Sequence, residues 1–189
     1  MSEGRFALAL ALLSLSLGAA ARAATTADAD SCTLVGRSEI GEILGYPVAA
    51  PDETSRAAGI CFFPSRAVSQ DGSVSYAIVT QDNLAQRRAF AAAQARRCAG
   101  VAKIAPNAVA CKAYADVALA SDLDAYFTAR TSASDATPVA ALAPDAIAAP
   151  NALYVRRDAR VFEIVVRRGE NLDVARETAL AKLLLERVK

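Results

Sequence analysis

Apolar residues fill almost every position from Phe6 to Leu17, interrupted only by Ser14 and Ser16, and Ala21-Arg22-Ala23 follows them. An apolar run of that length, with a small-x-small triplet after it, predicts a secretory signal peptide over 1–23. It is shorter than the roughly 20 residues a spanning helix needs. Beyond a short linker at 24–30 the pattern becomes that of a folded chain, predicting one α+β domain over 31–189. Ile40, Ile43 and Leu44 share a helical face, with Ser38 as the expected N-cap and Gly45 and Pro47 as the stop. Ala49 to Ala58 reads as a linker, and Gly59 to Pro64 as a short strand. After a turn at Gln70-Asp71-Gly72-Ser73, a strand runs from Val74 to Thr80, with Val74, Tyr76 and Ile78 on one face. Asp82 is the expected cap of a helix reaching about Arg97, where Arg96 and Arg97 oppose the helix dipole. A further helix is expected over Asp116 to Arg130, gathering Leu119, Leu123, Tyr126 and Phe127. Ser132 to Thr137 reads as a loop.

The last third has the clearest periodicity. Leu153 to Arg156 and Val161 to Val166 alternate with period two about a turn at Asp158-Ala159. Leu153, Val155, Phe162, Ile164 and Val166 fall on the core face, which leaves Tyr154, Arg156 and Glu163 on the other. Asn171 is then the expected cap of a helix whose apolar stripe is Leu172, Ala175, Ala179, Leu180, Leu183 and Leu184. Together these elements predict an antiparallel sheet with helices packed on one face.

Charge and cysteine usage narrow the class. The whole chain has a formal net charge of +1. Removing Glu3, Arg5 and Arg22 with the leader leaves 19 acidic and 19 basic residues. That balance argues against nucleic-acid binding and against electrostatic membrane binding. Four cysteines and no histidine remain. In an exported chain an even cysteine count reads as two disulfides. Cys-x-x-Cys spacing and histidine partners are both missing, which removes the usual zinc, redox and thiol-nucleophile patterns. Sequential pairing, Cys32 with Cys61 and Cys98 with Cys111, closes the shortest loops and is favoured; Pro106-Asn107 supplies a turn within the second. No metal and no cofactor are expected.

The candidate chemistry is thin. Asp122 and Asp124 could do carboxylate work without histidine, but residues two apart on a helix do not share a face. Neither they nor Asp28 and Asp30 supply the oxygen ligands of a calcium loop. Arg87, Arg88, Arg96 and Arg97, and Arg156, Arg157, Arg160, Arg167 and Arg168, could receive an anion; the plainer reading of both groups is a solvated charged surface.

Three stretches resemble a known family. "SCTLVGRSEIGEILGYPV", "GICFF" and "LAPDAIAAPNALYVRRDARVFEIVV", followed by a terminal helix, resemble small exported bacterial domains of unknown function best known as actinobacterial lipoproteins. The resemblance covers about 31–65 and 141–188. It implies that Cys32 and Cys61 are paired, and that Leu142 and Asp145 occupy the leucine and acidic positions of a Gly-Leu-Gly-Asp loop. Ala141, Ala143 and Pro144 depart from that loop, and Cys98 and Cys111 from the family's cysteine pattern. No chemistry comes with the family.

The functional expectation is an exported, non-catalytic binding or protein-interaction domain whose partner is an envelope or secreted protein. Tyr154, Arg156 and Arg160 are its candidate contact residues, because alternation turns the first two outward and tyrosine and arginine dominate interface hot spots. An inhibitor of a secreted enzyme, using the segment Ala133 to Pro150, is the alternative. A carboxylate enzyme without histidine is the second.

Overall fold

Gly72–Thr80 (β2) and Arg160–Arg168 (β6) pair antiparallel along their whole length, from Gly72 opposite Arg168 to Thr80 opposite Arg160. They form the spine of a seven-stranded sheet in a computed structural model that describes residues 31–65, 72–99, 105–142, 145–169 and 171–188. The expected leader, the linker at 24–30, Gln70, Asp71 and Pro144 lie outside the described residues. The sheet order is β1-β2-β6-β5-β4-β3, where β1 is Cys61–Pro64, β3 Thr137–Pro138, β4 Ala146–Ala149 and β5 Ala152–Arg157. The short β7, Asn171–Leu172, pairs with the end of β6.

The expected hairpin is β5–β6. Its turn, Asp158-Ala159, places Asp158 at φ 52°, a left-handed conformation that aspartate tolerates better than most residues. Both sheet edges are protected. Along β1 the Ala49 N–H donates to Pro64 O and the Asp52 N–H to Phe62 O, each at 2.9 Å. The opposite edge ends in Pro138, which has no N–H to offer another strand.

The α+β class, the antiparallel sheet and the two disulfides are as expected; the placement of helices on one face is not. One face, carrying Val74, Tyr76, Leu153, Val155, Phe162, Ile164 and Val166, packs against Arg37–Leu44 (α1) and Val174–Arg187 (α6). The other, carrying Val79, Tyr154 and Val161, packs against Leu84–Ala99 (α3), Ala105–Ala118 (α4) and Leu123–Thr131 (α5). Glu53–Ala57 (α2) lies within the expected linker, with its N-terminus capped by Asp52, which accepts the Ser55 N–H at 2.7 Å. The strands carry apolar residues at successive positions in places, as in Ala152 to Val155, all buried. A strand buried on both faces reads this way.

Several boundaries shift for local reasons. Gly36, not Ser38, is the N-cap of α1, and its N–H donates to the Glu39 carboxylate at 2.8 Å. Gly45 ends the helix at φ 80°, as a C-terminal glycine does. At the start of α3 the Asn83 carbonyl accepts the Arg87 N–H, while Asp82 sits in the preceding turn. The helix expected over Asp116 to Arg130 is two, α4 and α5. Asp122 breaks it by capping α5, accepting the Ala125 N–H at 2.8 Å, and Leu119 is thrown out to 80% exposure. Pro106-Asn107, expected in a turn, fall in the first turn of α4, where proline costs no hydrogen bond. Asp173, not Asn171, caps α6; its side chain accepts the Arg176 N–H.

Both expected bridges form. Cys32–Cys61 joins the 3-10 turn Ser31–Thr33 to edge strand β1, and both cysteines are buried in the α1/α6 core. Cys98–Cys111 joins the end of α3 to α4. Among the described residues no helix is long and apolar enough to cross a membrane.

Candidate functional site

The most concentrated chemistry lies between α5 and the middle of the sheet. Asp122 starts α5 so that Tyr126, Phe127 and Arg130, at i, i+1 and i+4, descend onto β5 and β6. β6 contributes Glu163 and β5 contributes Tyr154, which sit opposite one another in the ladder. The Tyr126 hydroxyl donates to Glu163 Oε2 at 2.8 Å, and the Tyr154 hydroxyl reaches Glu163 Oε1 at 3.5 Å. Asn151 Nδ2 donates to the Tyr154 hydroxyl at 3.1 Å. A guanidinium nitrogen of Arg130 lies 3.7 Å from Glu163 Oε1, an ion pair rather than a hydrogen bond. The Arg130 guanidinium also lies over the rings of Tyr114 and Tyr126, 5.7 and 5.6 Å from their centroids. Nearby on α3, buried Arg87 donates to Gly59 O at 2.7 Å.

The electrostatics point to a structural unit. Burial, then the neighbouring Glu163 charge, pushes the Tyr126 and Tyr154 hydroxyls far above the ordinary phenol range. They are donors, not bases or nucleophiles at neutral pH. Burial works against the Arg130 cation, but the Glu163 charge with Tyr154 and Tyr126 outweighs it and holds the guanidinium firmly charged. One arginine and one carboxylate offset each other, and the hydroxyls fill the remaining carboxylate positions, as a buried pair requires. Arg130 Nε is the only atom of this cluster, among the described residues, that is buried without a hydrogen-bond partner.

Of the three expected contact residues, the structure separates Tyr154 from the others. Tyr154 is fully buried, because α5 covers the face that alternation assigned to solvent. Arg156 keeps a third of its side chain exposed, but two aspartates occupy it. It donates to Asp145 Oδ2 at 3.2 and 3.0 Å and to Asp124 Oδ1 at 2.6 Å, with its guanidinium 5.2 Å from the Phe127 ring centroid. Arg160 is half-buried at the hairpin end, opposite Arg157. The two acids weighed for catalysis therefore have other posts: Asp122 caps α5 and Asp124 holds Arg156. The segment Ala133 to Pro150 is not a free loop, since β3 and β4 lie within it and Ala146, Ala148 and Ala149 are buried. No cluster of three or more metal-ligating side chains occurs among the described residues.

Sequence reasoning missed Arg130 and Glu177. Arg130 follows Tyr126 and Phe127 at helical spacing, so its place on the inward face was legible there. Glu177 precedes Leu180, Ala181 and Leu184 by three, four and seven residues, the spacing of one buried face. Ala175 and Ala179, expected in that stripe, are exposed, and Leu172 belongs to β7. Compared with known proteins, the chain matches no family model, no curated sequence and no solved structure.

Proposed function

We propose that this is an exported, non-catalytic protein-interaction domain that presents the α3–α4 helical hairpin to an envelope or secreted protein. The observation that carries the reading is how the hairpin is built. Leu84, Arg87 and Ala91 anchor the first half of α3, and past Ala91 none of the described α3 side chains is buried. The helix continues to Cys98, roughly 10 Å further at 1.5 Å per residue. There Cys98–Cys111 staples it to α4. A cross-link at the end of an element that adds little to the core chiefly keeps that element rigid, and rigidity lowers the cost of binding. Arg96 and Arg97 are exposed on the stapled end, and Leu119 stands out in the turn that follows α4.

Export is supported by the two disulfides, which persist in oxidising compartments. The non-catalytic reading is supported by the structural posts of Asp122, Asp124 and Glu163, and the inhibitor alternative is left without the free loop it would use. The test is capture of native envelope proteins on the immobilised, oxidised protein, compared with an Arg96→Glu, Arg97→Glu variant. A saturable partner retained by the wild type and lost by a variant of unchanged melting curve supports the reading. Equal capture by both moves the surface elsewhere, and no saturable partner overturns the interaction role.

A further inference from the structure

β6 is left with a gap in its pairing. β5 is last opposite it at Leu153–Ile164, and β7 first at Arg167–Leu172, so Val166 has no strand neighbour on that side. The start of α6 fills the gap. The Asp173 N–H donates to Val166 O at 2.8 Å, and the Val166 N–H donates to Glu177 Oε1 at 3.1 Å. Glu177 is fully buried, and its second oxygen, Oε2, has no hydrogen-bond partner. A carboxylate in that position would be a buried charge held by one neutral amide, which is costly, whereas the protonated acid is not charged at all.

The other charged groups around α6 do not cancel this. Asp173, on the same helix end, opposes a second negative charge and is itself held by Arg176, which also donates to Ile43 O in the last turn of α1. The Val166 N–H that Glu177 accepts, and then Arg167 on β6, pull toward ionisation, but less than burial opposes them. From α1, Glu39 is engaged by Arg187 at the far end of α6, and from β5, Arg157 donates to Leu185 O there. Tyr46, after α1 on the same side of the sheet, brings a buried hydroxyl that also lacks a partner. The balance places the Glu177 carboxyl at about 7.

We propose that Glu177 is a pH-responsive clamp: protonated, it closes the gap beside Val166 and seats the start of α6 on the sheet; ionised, it releases that end. An exported protein meets the pH of its surroundings, so such a group would set how firmly α6 is held. The test is hydrogen exchange of the Val166, Leu180 and Ala181 amides in the oxidised protein from pH 5 to 8.5, corrected for intrinsic exchange. The opening equilibrium should rise on the order of 100-fold across that range. Glu177→Gln, which cannot ionise, should flatten the rise, whereas Glu39→Gln should leave it intact. The carboxyl carbon of Glu177 should titrate near neutrality in the wild type, a reading that stands even if the glutamine variant fails to fold. Titration below pH 5, or an equal rise in Glu177→Gln, overturns the clamp.

Discussion

The Tyr126 hydroxyl donates to Glu163 Oε2 at 2.8 Å, and through that bond α5 is tied to the central strand. Tyr126→Phe keeps the ring over Arg130 and removes only the donor. It should cost about 1–3 kcal/mol, the penalty for leaving a buried acceptor one bond short. Glu163→Ala should cost more, about 3–5 kcal/mol, because buried Arg130 then loses its counter-charge. Urea unfolding of the two variants gives the comparison. A Glu163→Ala loss no larger than that of Tyr126→Phe would mean that the ion pair contributes nothing beyond the hydrogen bond.

Tyr154, Arg156 and Arg160 should behave as three different kinds of residue. Tyr154→Ala empties a fully buried site and should destabilise by about 3–5 kcal/mol. Arg156→Ala releases two largely solvated aspartates and should cost no more than about 1 kcal/mol. Arg160→Ala should fall within about 0.5 kcal/mol of the wild type, as surface changes usually do. Thermal melts of the three single variants test the order. A Tyr154→Ala protein that melts like the wild type would mean that α5 does not cover β5.

The contrast between Tyr154 and Phe162 shows what the chain makes legible. Alternation assigns a residue to one face or the other, and Phe162, Ile164 and Leu153 lie on the expected face. Alternation says nothing of what covers the second face. A central strand with helices on both sides carries polar residues only where they are paired, as Glu163 is. The turn at Asp158-Ala159, the stop at Gly45 and both cysteine pairs follow from local chemistry. The split between α4 and α5 hangs on whether Asp122 caps a new helix or rides within one, and both are locally acceptable. Glu177 was obscured because a glutamate on an inward stripe is ordinarily taken as exposed; only the gap between β5 and β7 explains its burial.

The pH profile of stability should peak in mildly acidic solution. Burial raises the Glu177 carboxyl from 4.5 to about 7 in the folded protein. Its stabilising contribution is therefore fully present below pH 4.5 and lost as pH rises towards 7, by about 2–3 kcal/mol. Asp52 and Asp122 work in the other direction. The hydrogen bonds they accept, from Ser55 and from Ala125 with Ser121, hold both carboxyls below the ordinary value of 3.8. Their contribution is present above that value and lost as pH falls through the lowered folded values. Melting temperature measured from pH 2 to 9 should thus be highest near pH 4–5, and Glu177→Gln should extend the plateau to neutrality. A wild-type maximum at pH 7 or above would contradict the buried neutral carboxyl.

The two disulfides should differ in kind as well as size. Cys32–Cys61 spans 29 residues and Cys98–Cys111 spans 13, which on loop entropy correspond to ~3.6 and ~2.9 kcal/mol. The first pair is also buried against Val35, Phe63 and Tyr76, and the Tyr76 hydroxyl donates to Ser31 O at 2.7 Å beside it. Replacing both its cysteines by alanine should therefore lower global stability by more than the entropy alone. Replacing Cys98 and Cys111 frees the far half of α3, where none of the described side chains past Ala91 is buried. Urea unfolding should show the smaller loss, and hydrogen exchange should place it in α3 beyond Ala91 and in α4, leaving β2 and β6 protected. If the hairpin is the binding arm, this second variant should lose partner affinity out of proportion to its stability, because the bound partner must now order the arm itself. Equal global losses in the two variants would make the hairpin part of the core, and undiminished affinity without the second bridge would show that its rigidity does not serve binding.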